Sequence, residues 1–460
     1  MKLSNLYRLS PKNLVLIILW LASVILICAQ ILNTRPLQDD YFLLGYLSEN
    51  SWLDFITAVW NGQGGNLWIY GAQAILLSNS LFTTNFMVIA LWTVVTLSLT
   101  SFCVFQILTW VLGADLNSLK AMKFFTVISI SYLGFEGLFT PGLISAYSYH
   151  QAAFSHLWPI ALLCIAFLMI FKGSKNIFMA IILGLLVGNS NIAEAWTAFV
   201  ALFILFFSER KTSRFVLNGF KFFYTFSAGV FLGIVLILMS PGFWNRAQNS
   251  VGLPTTIEEF SQRFFKSFGS FLADLITHPM LWLVFLIGIL FQIDQKYGPE
   301  KKLLVYKVKM LITLGIILFT SLVFGGTFGY VSWHQSSGLY QIFIPLFFIV
   351  GFYYRTLLNF EIFPRMAPYI AYFIIFSIVA ISLRAGIAFS DRANNWDIAY
   401  KINYCVIKKD PAAKLIGAEM LYPGFNLGIE DVARWEWMAN GYSNWLSNPK
   451  FKNDVPCTSK

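Results

Sequence analysis

Long apolar runs recur along this chain with only short polar links between them, and no other feature narrows its fold as much. Crossing a bilayer takes roughly 17 to 25 apolar residues. On that scale the sequence offers about eleven spans, near 14–32, 84–112, 124–141, 156–171, 176–190, 194–208, 222–240, 279–293, 310–328, 339–354 and 367–389. Composition supports lipid as the solvent. Charged residues make up 12% of the chain and mean hydropathy is +0.67, whereas soluble domains run near 25% charged. Backbone amides in lipid must bond within their own segment, so such runs are expected to be helices. The fold class expected is all-α: a polytopic membrane protein with surface helices in its first outer loop and a small exported C-terminal region.

The distribution of cations orients these spans. The first follows a basic N-terminus without an A-x-A cleavage site and reads as a retained anchor with a cytoplasmic N-terminus. The segments then assigned to the cytoplasm hold eighteen Lys and Arg residues, against Arg35, Arg246, Arg263 and Lys266 in the opposite inter-span loops. This is the positive-inside asymmetry. The net charge of +10 therefore reports topology, and its scatter through short loops argues against nucleic acid as a partner. An odd number of spans places the C-terminus outside. The pair at 176–190 and 194–208 is short, and the polar stretch between them reads either as a surface loop or as a break within the membrane.

From Ser390 onward the chain gains Asp, Asn, Lys and Pro. Two domains are expected, 1–389 in the membrane and 390–460 as a small extracytoplasmic unit. Of five cysteines, Cys28, Cys103 and Cys164 fall in apolar runs, where packing explains them. Cys405 and Cys457 lie in the tail, either as free thiols or as a disulfide closing about fifty residues, worth roughly 4 kcal/mol in the chain-entropy model. With no C-x-x-C pair, no zinc site is indicated.

Candidate chemistry concentrates on the outer side. The loop after the first span opens RPLQDDYF, and Asp39 and Asp40 stand just past a helix-stopping proline. Adjacent carboxylates at a membrane mouth are either solvated in an interfacial turn or used. Behind them, residues 41–58 are amphipathic and include Trp52, residues 61–66 form a Gly-rich turn, and an apolar helix resumes at Leu67, the pattern of helices lying on a bilayer surface. Other outer segments carry Tyr149, His150 and His156, then Asn189, Asn191 and Glu194, then Arg246 after Ser240-Pro241-Gly242, and His334. All four histidines, His278 included, fall on this side, and each reads either as a hydrogen-bonded interfacial residue or as part of a site. Glu194 lies between two apolar stretches, so it lines a wet cavity or pairs with a cation. Arg246 suits bidentate clamping of a phosphate, or it snorkels to lipid headgroups.

The acidic pair directly after the first span, the surface-helix loop behind it and the many-span layout resemble the GT-C superfamily of membrane glycosyltransferases. Glu194 after a short span and the SPG turn followed by Arg246 are also similar to a group of bacterial membrane proteins with an acidic first loop. The resemblance implies a glycosyltransferase-like membrane domain over 1–389 that moves a sugar from a polyprenyl-phosphate-linked donor to a hydroxyl of a glycan, lipid or protein acceptor of the cell envelope. It implies inversion at the sugar, with Asp39 or Asp40 as general base. Glu194, Arg246, His150, Tyr149 and His334 would bind substrate, with Arg263 and Lys266 as weaker phosphate contacts. No cofactor is implied and a divalent metal is not indicated, since the W-W-D-Y-G type signature of the oligosaccharyltransferases is absent. The expected location is the inner (plasma) membrane. A flippase or transporter for lipid-linked sugars, or an O-antigen polymerase or ligase, is the alternative.

Overall fold

The computed structural model describes residues 50–62, 64–78, 86–111, 153–192, 194–196, 198–200, 202, 216–250, 252–290 and 343–352, together with isolated residues elsewhere. All regular structure among the described residues is helical. In chain order the helices are α1 (Trp52–Gly62), α2 (Leu67–Ser78), α3 (Phe86–Val111), α4 (Trp158–Phe171), α5 (Ile177–Gly188), α6 (Val216–Met239), α7 (Pro241–Ser250), α8 (Ile257–Thr277), α9 (Pro279–Leu290) and α10 (Phe343–Phe352). A π-helical turn, Ala153–Leu157, leads into α4. Helical residues also recur between Ile192 and Leu202.

Among the described residues two helices, α3 through Leu91–Leu108 and α6 through Phe220–Met239, are each long and apolar enough to cross a membrane. Their surfaces are inverted relative to a soluble protein. On α3, Leu91, Trp92, Val95, Leu99 and Phe102 point outward, whereas Thr93, Thr96, Thr100 and Ser101 are buried. Thr96 and Thr100 each return their hydroxyl to the backbone four residues earlier, at 2.8 Å, which lets them sit inside without another partner. Large apolar groups exposed in a continuous stripe suit contact with lipid and would be costly in water.

The other segments expected near 156–171, 176–190, 279–293 and 339–354 appear as the shorter apolar helices α4, α5, α9 and α10. Helices α8 and α9 meet at 49°. The stretches 124–141 and 310–328, most of 14–32 and 367–389, and nearly all of the tail lie outside the described residues. Cys103 and Cys164 are free thiols. Cys405 is disulfide-bonded, to a partner outside the described residues.

Local sequence explains the helix ends near the site. Ser51 and Asp54 cap α1 reciprocally, Ser51 Oγ donating to Asp54 Oδ2 at 2.6 Å and accepting from Asp54 N at 3.2 Å. Helix α4 ends where Gly173 takes a φ of 67° and Ser174 N reaches back to Met169 O at 2.9 Å, a glycine-dependent stop. Asn176 then caps α5 by accepting from Met179 N at 3.0 Å.

The centre of the described bundle is the contact of α5 with α6. Gly184 and Gly188 of α5 face Gly229 and Gly233 of α6, two matched G-x-x-x-G pairs. A Cβ on Gly229 would lie 2.9 Å from Gly184 Cα, and one on Gly233 would strike the backbone of Gly188. The backbones touch because neither strand of the seam has side chains. The pairing of 184 with 229 and of 188 with 233 has constant offset, so α5 and α6 are parallel. The chain must therefore reverse somewhere between them. Ala195, Ala198 and Leu202, in the connecting segment, pack in the same core as Leu163, Leu183, Phe222, Phe226 and Val230. The polar residues 189–191 are thus a junction leading into a returning segment and not a kink in one continuous span.

Candidate functional site

The C-terminal ends of the parallel helices α5 and α6 gather the polar groups of the bundle. Asn189 follows the last glycine of α5 and is buried. Its Nδ2 donates to Gly65 O at 2.7 Å and to Gly233 O at 3.5 Å, and its Oδ1 accepts from Trp68 N at 3.4 Å. One side chain thereby joins the Gly-rich turn after α1, the start of α2 and the glycine seam. At the end of α6, Ser240 Oγ donates to Trp60 O at 2.7 Å, and on α7 Asn245 Nδ2 donates to Asn61 O at 3.0 Å. The turn fits because Gly65 lacks a side chain: a Cβ there would lie 2.6 Å from Ile237 Cα. Three segments far apart in sequence, 60–68, 189–194 and 237–245, meet at this end.

Beside them Glu194 is buried, 1% exposed. His156 Nδ1 stands 2.8 Å from Glu194 Oε1, and Asn191 Nδ2 lies 3.4 Å from the same ring nitrogen. With Glu194 ionised, the imidazole N–H donates to it; with Glu194 protonated, the carboxyl O–H donates to Nδ1. In either state the pair shares a proton along one axis. Burying an unpaired carboxylate costs several kcal/mol, so His156 is what makes Glu194 tolerable there. Glu194 Oε2 is buried with no hydrogen-bond partner, a deficit worth about 1–3 kcal/mol.

The π-helical turn inserts an extra residue before α4 and carries His156 on it. Trp158, two residues on, stacks on Trp68 with ring centroids 6.3 Å apart and planes 19° from parallel, and meets Trp92 edge-on at 5.6 Å. Trp68 Nε1 is likewise buried without a hydrogen-bond partner. The polar centre thus has an aromatic wall contributed by α2, α3 and α4.

Of the residues expected from sequence, Glu194 stands inside this centre. Arg246 is on α7 and exposed, next to the Asn245 that binds the glycine turn. Arg263 donates to Gly252 O at 2.8 Å and pairs with Glu259, so its guanidinium is engaged by its own helix and the loop before it, and Lys266 is exposed. Asp39, Asp40, Tyr149, His150 and His334 lie outside the described residues. Among the described residues no group of three His, Cys, Asp or Glu side chains is placed to hold a metal ion.

Three features escaped sequence reasoning. The His156–Glu194 pair spans 38 residues, and no local spacing signals it. The clamp by Asn189 is equally non-local. The glycine pairs were legible as G184-x-x-x-G188 and G229-x-x-x-G233 within apolar runs, a recognised signal of close helix packing.

No family model matches the chain, and no curated protein or solved structure matches it either.

Proposed function

We propose that the protein is a multi-pass membrane glycosyltransferase of the GT-C type, acting at the non-cytoplasmic face of the inner membrane on a polyprenyl-phosphate-linked sugar. The observation that carries this reading is the docking of the first loop onto the bundle end that buries Glu194 and His156. The loop that opens with Asp39-Asp40 is tied, through Gly65, Trp60 and Asn61, to Asn189, Ser240 and Asn245. That arrangement suits an acceptor hydroxyl arriving from outside and a sugar presented from the bilayer.

In the proposed step an Asp39 or Asp40 carboxylate takes the proton of the acceptor hydroxyl. The oxygen bonds to the anomeric carbon as the bond to phosphate breaks with inversion, and polyprenyl phosphate leaves with its electron pair. The leaving group needs no protonation. Arg246, exposed on α7 just past the end of α6, is assigned to the phosphate, where a guanidinium offsets the charge that develops. The N-terminus is assigned to the cytoplasm and the tail outside, and a disulfide at Cys405 fits an oxidising compartment.

The test is transfer of radiolabelled sugar from polyprenyl-phosphate donors to endogenous acceptor in membranes carrying Asp39→Asn, Asp40→Asn or both. Loss of at least about 100-fold in one single variant, with normal expression, is expected from removal of a general base. Full transfer in the double variant overturns the assignment. A second reading, a lipid-linked sugar flippase or transporter, draws on one observation: a buried, paired carboxylate beside a chain reversal between short helices. It requires translocation of labelled lipid without transfer.

A further inference from the structure

We infer that Trp68 and Glu194 form a saccharide subsite, in which Glu194 Oε2 accepts from one sugar hydroxyl and Trp68 Nε1 donates to another sugar oxygen. The inference rests on the glycosyltransferase reading and names where the sugar of the donor is held.

Two buried atoms at the polar end lack hydrogen-bond partners, and they are of opposite character: an acceptor on Glu194 and a donor on Trp68. Two independent routes connect them. The Trp68 ring stacks on Trp158, two residues from the His156 that holds Glu194, and the Trp68 backbone bonds Asn189, five residues before Glu194. Both residues therefore belong to the patch made by 65–68, 156–158 and 189–194.

The pairing of a donor with an acceptor selects ligand chemistry. A phosphate has no donor for Oε2 and is repelled by a carboxylate. A metal cation or an ammonium group satisfies Oε2 and leaves the indole N–H unserved. Neighbouring sugar hydroxyls donate and accept at once, and the apolar C–H face of a pyranose or furanose ring suits the wall of Trp68 and Trp158. The competitor is an ordered water, which also donates and accepts.

Purified full-length protein in nanodiscs is titrated with sugar-free polyprenyl phosphate and with polyprenyl phosphates bearing glucose, mannose, galactose, arabinose or N-acetylglucosamine. At least one glycosylated lipid is expected to bind about tenfold tighter than the sugar-free lipid, the scale of one hydrogen bond to a charged group. Glu194→Gln keeps the contact with His156 but turns the free acceptor into a donor, and Trp68→Phe removes the N–H while keeping an aromatic face. Each should cut that preference at least threefold while leaving the sugar-free lipid bound as in the unmodified protein. If no glycosylated lipid is preferred, or if the preference survives in both variants, the atoms are served by water and the subsite is refuted. Failure of the two readings is distinguishable. Transfer that persists with an unchanged sugar preference in both variants removes the subsite alone. A preference that depends on both residues, without transfer from any donor, removes the glycosyltransferase reading and keeps the subsite.

Discussion

Along the α5–α6 seam the two backbones touch through Gly184, Gly188, Gly229 and Gly233, with no polar side chain between them. Immediately beyond Gly188 come Asn189, Ser190, Asn191 and Glu194, three of them buried; Asn189 bonds distant segments, Asn191 and Glu194 meet His156, and Ser190 turns its hydroxyl back to Val187 O. The seam is held by shape, since apolar surface gains little when lipid is the alternative. The end is held by hydrogen bonds that water or lipid would replace poorly. A membrane bundle of this kind uses its glycines to bring backbones close, and that closeness gives the polar end a fixed frame.

The sharpest way to break the comparison is at the seam. A Cβ on Gly188 would strike the Val230 carbonyl, backbone that cannot rotate away, so Gly188→Ala should destabilise by about 3 kcal/mol, toward the upper range for overpacking. The same change at Gly269 on α8, where a Cβ meets nothing within 4 Å, should stabilise by about 0.5–1 kcal/mol through helix propensity. Unfolding of the purified protein in detergent reads both, and equal effects at the two sites would show that propensity and not contact governs the seam.

A smaller effect is expected at the polar end. Asn189→Ala removes the donor to Gly65 O and the acceptor for Trp68 N, costing about 1–3 kcal/mol. The loss should be local. Hydrogen exchange should quicken over residues 61–70 while the α5–α6 seam keeps its protection, whereas uniform loss of protection would mean that the clamp holds the bundle itself.

The smallest effect concerns α8, away from both regions. Thr256 caps that helix by accepting from Glu259 N at 3.1 Å, and Glu259 Oε2 accepts from Thr255 N at 2.8 Å. The Thr255 backbone bond first, then its hydroxyl and Arg263, hold the Glu259 carboxyl below its ordinary range. A carboxyl depressed in the folded state stabilises above its unfolded value of about 4.3 and loses that contribution as pH falls through the folded value. Protection in the first turn of α8, taken relative to the intrinsic exchange rate at each pH, should therefore fall on acidification, and Glu259→Gln should flatten that fall.

Several local features were legible beforehand. The apolar runs that became α3, α4, α5, α6 and α9 follow from short-range pattern. So did the singling out of Glu194 as a carboxylate in apolar surroundings. Its partner was not legible, because a pairing across 38 residues leaves no mark in either neighbourhood. Arg263 shows the reverse: a cation in a suitable loop looked free for phosphate, yet Glu259 one turn earlier and the Gly252 carbonyl already engage it.

What the sequence determined by itself was solvent and helicity, since long uncharged runs demand lipid and lipid demands internally bonded backbone. What only the tertiary structure decided was neighbourhood. The parallel approach of α5 and α6 brought Asn189 to Gly65 and set the junction that returns the chain through Glu194 to His156. The physical reason lies in range: hydropathy and capping act within a few residues, whereas a buried hydrogen bond takes its partner from whichever segment packing delivers.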